Sequence, residues 1–263
     1  MLSLPNQWGA LRSAEFSELN ADRTVALWPL GATEQHGPHL PLNVDVLLVE
    51  AMVAGALNKL ESGTPVLVLP TLAVGLSVEH RAFAGTLSLS TTSALQMMRE
   101  TGESVRRAGV RKLLMFNAHG GHVAAMDLAA RELRDGGLTV FHTSYEQLPL
   151  GSALEAFDAD ERRYGVHAGE METSMMLALA PQRVRMDLAQ AFASSAQSRV
   201  QTHSLLGQGH SRMGWHAQDL HVSGAVGRAA SADAQRGQAL LDAISQQLAH
   251  LLRQLVEIGR AHV

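Results

Sequence analysis

The sequence predicts an α/β fold: a mostly parallel sheet covered by helices on both faces (α/β/α). Three observations predict it. Short apolar runs of strand length recur along the chain, stretches with helical spacing of apolar residues alternate with them, and glycine or proline marks the junctions. Strands alternating with helices of about 12–18 residues imply βαβ units, whose crossovers cover both faces of a parallel sheet.

Residues 24–30 (TVALWPL) form an apolar run closed by Gly31 and read as the first buried strand. Residues 44–60 carry apolar side chains at helical spacing and stop before Ser62-Gly63. Residues 65–69 (PVLVL) are a second strand, closed by Pro70. Residues 91–108 read as a helix, with Ser90 or Thr91 as N-cap and Gly109 just past its end. Residues 112–116 (KLLMF) and 138–143 (LTVFHT) are the third and fourth strands, separated by a helix over 123–134 that ends at Asp135-Gly136-Gly137. A helix is predicted over 167–179, stopped by Ala180-Pro181, and a long amphipathic one over 231–258. Residues 191–223 are rich in Ser, Gln, Gly and His and show no period, so they read as an excursion within a single domain spanning 1–263.

Composition narrows the function. The chain is 46% apolar and 17% charged with a mean hydropathy of +0.01, enough to bury a sizeable core. Its 21 Lys and Arg against 25 Asp and Glu give a net charge of −4, a poor match to nucleic acid or an anionic membrane. With no cysteine, disulfides, thiolate nucleophiles and Cys-ligated metals are excluded. No apolar run reaches the ~18 residues that span a bilayer, and the first residues lack a basic stretch followed by an apolar one, so a cytoplasmic location is expected. Thirteen histidines against two tyrosines direct attention to imidazole chemistry.

Four stretches carry candidate chemistry. The first, 31–39 (GATEQHGPH), directly follows a strand and is itself followed by Asp45. Glu34 and His36 are two apart, so in an extended chain they point the same way. Glu, His and Asp suit Zn, Mn or Fe, although a polar loop with a capping Asp has the same spelling. The second, 117–122 (NAHGGH), leaves a strand and opens a helix; its glycines allow close backbone approach. There His119 is a candidate ligand and His122 its supporting partner. In the third, 167–174 (HAGEMETS), a helix would put His167, Glu170 and Ser174 on one face, beside an apolar stripe of Met171, Met175 and Leu179. Glu172 there also reads as a solvated carboxylate. The fourth, 79–86 (EHRAFAGT), reads either as a substrate-contacting loop or as plain surface. Glu34, His36, Asp45, His119 and Glu170 thus follow different strands of one sheet, and five such ligands suit two metal ions ~3.5–4 Å apart. The motifs G-x-S-x-G, H-E-x-x-H and G-x-x-x-x-G-K-[ST] are absent.

The stretches GATEQHGPHLPLNVD, EHRAFAGT, NAHGGH, HAGEMETS and SGAVGRAASADAQRG resemble the creatininase family. The resemblance implies a three-layer α/β/α domain, two divalent metal ions (Zn or Mn, with Fe compatible), and hydrolysis of a non-peptide C–N bond in a cyclic amide or formamide. It also implies a small-molecule substrate and a homo-oligomer, commonly a hexamer. Carried over by position, Glu34 and His119 would bind one metal, His36 the other, and Asp45 would bridge them. Creatininase proper has a Glu two residues after the His of its N-G-H-Y-E-N motif. Gly121 stands there in this chain, and Glu170 is expected to supply the missing carboxylate. His167 matches the histidine that shuttles protons. His80, Gly120, Gly121 and Glu146 are expected to contact substrate, His80 and the loop N–H groups by stabilising a developing oxyanion. The two tryptophans that close the pocket of creatininase proper are replaced by Glu146 and Arg163, which points to a more polar substrate. The family also includes a deformylase and a peptidase, so a member with a different or lost activity, or a phosphoesterase, is the alternative.

Overall fold

Strand β1 (Val25–Leu30) is buried along its whole length because its alternating side chains enter two different cores. Val25 and Leu27 face one, while Ala26, Trp28 and Leu30 face the other. The computed structural model describes residues 6–207 and 210–258; the first five residues, used above in reading the chain's start, lie outside them. From β1 the chain runs through α1 (Val44–Leu57), β2 (Val66–Val68), α2 (Thr91–Arg107), β3 (Lys112–Asn117), α3 (Val123–Asp135) and β4 (Thr139–Ser144). Short helices α4 (Ser152–Glu155) and α5 (Ala159–Tyr164) lead to α6 (Glu170–Leu179). Then follow β5 (Ala191–Phe192), α7 (Ser195–Thr202), α8 (Ala217–Leu220), β6 (Gly227–Arg228) and α9 (Ala234–Glu257).

The sheet has the order β2-β1-β3-β4 and every pairing in it is parallel. On one face α1, α6 and α9 pack together over Val25, Leu27, Leu114 and Phe116. On the other, α2 and α3 cover Ala26, Trp28, Leu113 and Met115. The three predicted layers are therefore present, with element ends shifted by at most three residues. The Ser90 side chain accepts from Ser93 N–H at the start of α2, as predicted, and Gly109 ends it with φ +89°.

One expectation needs correction. The helix predicted from His167 begins only at Glu170. Ala168 has φ +51°, which no right-handed helix admits, and His167 pairs instead with Val226 in an isolated bridge. In the 191–223 stretch, read above as an excursion, β5 pairs antiparallel with β6 beyond it, and α7 and α8 lie between them in the chain. Its elements are too short to show a period.

Helices α6 and α9 touch through Gly237, where a Cβ would overlap the Ser174 carbonyl. A backbone oxygen cannot step aside as a flexible side chain would. Gly237→Ala should therefore destabilise the fold by about 1–3 kcal/mol in urea unfolding despite its better helix propensity. A stability at or above wild type would show that this helix pair has slack.

Candidate metal centre

In the strand order β2-β1-β3-β4 the direction of winding reverses beside β1. The loops leaving β1 and β3 part there and open a crevice at the strand ends, where ligands bind in open α/β sheets. Glu34 and His36 leave β1, His119 leaves β3, and Asp45 lies in the first turn of α1. All four are buried.

Each histidine is turned by a backbone carbonyl, which can only accept. His36 Nδ1 donates to the Glu34 carbonyl at 3.0 Å, so Nε2 faces Asp45 Oδ1 at 3.0 Å and Glu172 Oε2 at 3.9 Å. His119 Nε2 donates to the Leu76 carbonyl at 2.7 Å, so Nδ1 faces Glu34 Oε1 at 3.2 Å and Asp45 Oδ2 at 3.4 Å. Asp45 thus offers one carboxylate oxygen to each ring. His167 Nε2 donates to the Gln35 carbonyl at 2.6 Å, leaving Nδ1 aimed at Glu34 Oε1, 3.7 Å away. Carbonyl partners of this kind fix ring orientation and tautomer in metal-ligating histidines.

Electrostatics point to missing positive charge. Burial works against the charge on His36, yet Asp45 and its neighbours hold it up at about 9. His119 is likewise raised well above the usual range, against burial, by Glu34 and Asp45. Burial opposes the charge on Glu34 too, and His119 holds that carboxyl well below its ordinary value. Burial, with the Asp45 and Glu146 carboxylates adding to it, moves Glu172 up to about 8 against the pull of His36. The carboxylates hold protons on two rings where a cation would serve, and metal binding at such a site would release them. Glu34 Oε2 and Asp45 Oδ2 are buried without a hydrogen-bond partner among the described residues. Three groups bring candidate ligand atoms within 4.8 Å of one another: Glu34, Asp45 and His119; His36, His167 and Glu172; and Glu34, His80 and His167.

Glu170 does not join them, which corrects the expected fifth ligand. Its carboxylate pairs with Arg236 of α9 at 2.5 Å. At 100° per residue, Glu170 and Glu172 project about 200° apart around α6. Glu170 shares its face with Ser174, which accepts from Asp233 N–H, while Glu172 turns back toward His36. The common face assigned to His167 and Glu170 assumed a helix that Ala168 prevents. Only the true helix start at Gly169-Glu170 places Glu172 on the His36 side, and the sequence does not mark that start. Its first turn is held by the buried Glu161 carboxylate, which accepts from Glu170 N–H at 2.5 Å and from Arg228 N–H at 2.7 Å.

The other expected residues converge. His80, Gly120, Gly121, Glu146, Arg163 and His167 line one cavity of about 720 Å³ over the cluster. Gly121 is forced: a Cβ there would overlap the Leu76 carbonyl, Glu79 and His119. A carboxylate from that position has no room. Trp215 and Met213, from the stretch that shows no period, reach the same cavity, so an aromatic wall is present from a segment that sequence reading left unassigned. His122 is not part of the cavity lining. Its Nδ1 donates to Asn117 Oδ1 and its Nε2 accepts from Leu76 N–H, both at 3.1 Å, so it ties the β3 loop to the loop before His80.

The creatininase (creatinine amidohydrolase) family matches residues 9–252 of the chain. A mycofactocin precursor peptide peptidase of Mycobacterium tuberculosis is 35% identical over 185 residues, 68% of each chain. The creatinine amidohydrolase of Pseudomonas putida is 33% identical over 178 residues, 62% of this chain and 67% of its own. Among solved structures, creatininase in a Mn form superposes with a TM-score of 0.76 at 24% identity, over 96% of this chain and 99% of that one. A mutant creatininase of Zn–Zn type gives 0.75 at 26% identity, over 97% and 100%.

His122 yields a pH test. Burial, with the His119 ring beside it, pushes it down to about 3. Its folded value lies below the unfolded ~6.5, so the unfolded chain takes up the proton first. The stability this ring contributes is whole above pH ~6.5 and is lost as pH falls toward 3. His122→Gln preserves one donor and one acceptor without titrating. Between pH 7 and 5, chelator-treated wild type should lose about 2 kcal/mol more in urea unfolding than His122→Gln. Equal pH slopes would refute this account of the ring.

Proposed function

The chain belongs to the creatininase family, and from that premise we propose that it is a two-metal amidohydrolase that cleaves an amide C–N bond with an activated water. The observation that carries this is Asp45, buried between His36 and His119 with one oxygen toward each. Glu34, His119 and Asp45 would hold one ion; His36, with an Asp45 oxygen 3.0 Å and a Glu172 oxygen 3.9 Å from its Nε2, would hold the other. The orphaned Glu34 Oε2 and Asp45 Oδ2 and the all-O/N donor set fit Zn or Mn. Bound there, two divalent ions would polarise the substrate carbonyl and acidify a shared water.

The chain's own groups supply the proton traffic. His167 is kept neutral by burial and by the adjacent His36 and His80, and its free Nδ1 points into the cluster. It accepts the proton of the attacking water and delivers it to the leaving nitrogen. His80 lies across the same space, tilted against His167 with ring centroids 4.2 Å apart, and meets the carbonyl oxygen as charge develops. The substrate is a polar small molecule with a cyclic amide or formamide bond: Glu146 and Arg163 line the cavity, the Arg163 guanidinium lying over the Tyr164 ring. A peptide C–N bond is the second reading, favoured by the peptide peptidase relative and by the width of the cavity. A panel of cyclic ureides, formamides, short peptides and phosphate esters, assayed with Mn or Zn, separates these readings. Turnover confined to phosphate esters would overturn the proposal.

Two expectations follow. Elemental analysis should give two metals per chain, falling toward one in Glu172→Ala. Glu170→Ala should keep both and lose about 1 kcal/mol of stability, because Arg236 loses this carboxylate but keeps the Ser231 carbonyl and Asp233. The reverse pattern would reassign the fifth ligand. Creatinine itself should be turned over poorly, since the two positions that carry the closing tryptophans hold Glu146 and Arg163. Rapid creatinine hydrolysis would show that Trp215 substitutes for them.

A further inference from the structure

We propose that Gln35 is a positioning residue that fixes His80 as a hydrogen-bond donor to the substrate oxygen and His167 as a proton acceptor. The inference rests on the amidohydrolase reading for its kinetic part only.

The orientation of the Gln35 amide is decided by two backbone groups. Gly37 N–H can only donate, and it lies 2.8 Å from Oε1. The Gly224 carbonyl can only accept, and it lies 3.0 Å from Nε2. The second Nε2 hydrogen therefore goes to the remaining neighbour, His80 Nδ1, at 2.7 Å. That nitrogen must offer its lone pair, so neutral His80 carries its proton on Nε2, on the side of Glu34 Oε1 at 3.4 Å. A ring in this form has no lone pair left for a cation there. Of the three candidate clusters, the one made of Glu34, His80 and His167 is thus a place for a substrate oxygen and not for a third metal.

The same residue sets the neighbouring ring the other way. The Gln35 carbonyl takes the His167 Nε2 proton at 2.6 Å and leaves Nδ1 free. One residue so prepares two adjacent imidazoles with opposite polarity toward the reacting bond, a donor and an acceptor. Gln35 has little freedom to do otherwise. Its own N–H donates to Thr86 Oγ1 at 3.0 Å, and a Cβ at Gly224, where φ is +80°, would overlap the amide. Both EHRAFAGT and the late SGA stretch thereby acquire a role: one supplies the ring and the threonine, the other the carbonyl that orients the amide.

Gln35→Glu retains the acceptor toward Gly37 but cannot donate to His80 Nδ1. On Zn-loaded protein labelled with nitrogen-15 in histidine, long-range proton–nitrogen spectra should show wild-type His80 unprotonated at Nδ1. In Gln35→Glu the proton should move onto it. Both forms should hold the same metal. With the amide substrate found by the panel, kcat in Gln35→Glu should fall about 10²-fold, the size of a lost oxyanion donor, with KM nearly unchanged. His80→Ala should lose a similar factor, and adding Gln35→Glu to it should cost nothing further, because Gln35 acts through that ring. Gln35→Met, of equal length without polar atoms, provides the same cycle should the carboxylate prevent folding. The proposal is overturned by a protonated Nδ1 in wild type, by losses that multiply in the double variant, or by metal loss from a folded Gln35 variant. The spectra need no turnover, so a failed amidohydrolase reading would leave the tautomer result standing.

Discussion

The Asp45 carboxylate is the group around which the end of the sheet is arranged. It is buried, it belongs to the first turn of a helix, and it faces two histidines from two different chain segments. A buried carboxylate is expensive unless matched by positive charge. Here one oxygen is matched through β1's loop and the other through β3's loop. That demand fixes the spacing of the loops on either side of the point where strand order reverses. The carbonyls of Glu34, Leu76 and Gln35 meet it by turning each ring before any ligand arrives.

The centre is anchored unevenly. Glu34, His36, Asp45 and His119 stand on loops and a helix start attached directly to the sheet. Glu172 arrives from α6, a helix held by contacts of its own: Glu161 at its first N–H groups, Glu170 on Arg236, and the close passage of Gly237 beneath Ser174. Residue 121 cannot replace it, since any side chain there meets the Leu76 carbonyl and the His119 ring. The carboxylate has to come from across the cavity.

Much of this was legible in the sequence. Alternating strand and helix runs are local signals, and they gave the layers and the parallel sheet. Glu34, His36, Asp45 and His119 follow strand ends, where side chains project into the crevice whatever the details of packing. Glu170 failed for a reason of two residues' phase. Helical face assignment is only as good as the helix start, and the start was displaced by Ala168, an alanine in a backbone conformation that its residue type does not announce. Gln35 was passed over because a glutamine between two candidate ligands looks like a spacer. Its role depends on Gly224, 189 residues away, and no short-range pattern carries that. Trp215 was illegible for the same reason: its segment has too few regular residues to predict where it goes.

Glu172 also accepts a hydrogen bond from Ala168 N–H at 2.6 Å, closing the turn that carries His167. The carboxylate that would grip an ion is therefore the same one that ties down the strained residue behind the proton carrier. Ligation and backbone order share a single side chain. Drawing that carboxylate toward an ion would pull on the turn behind His167, so occupancy of the second position and the setting of the proton carrier would be linked through that one side chain.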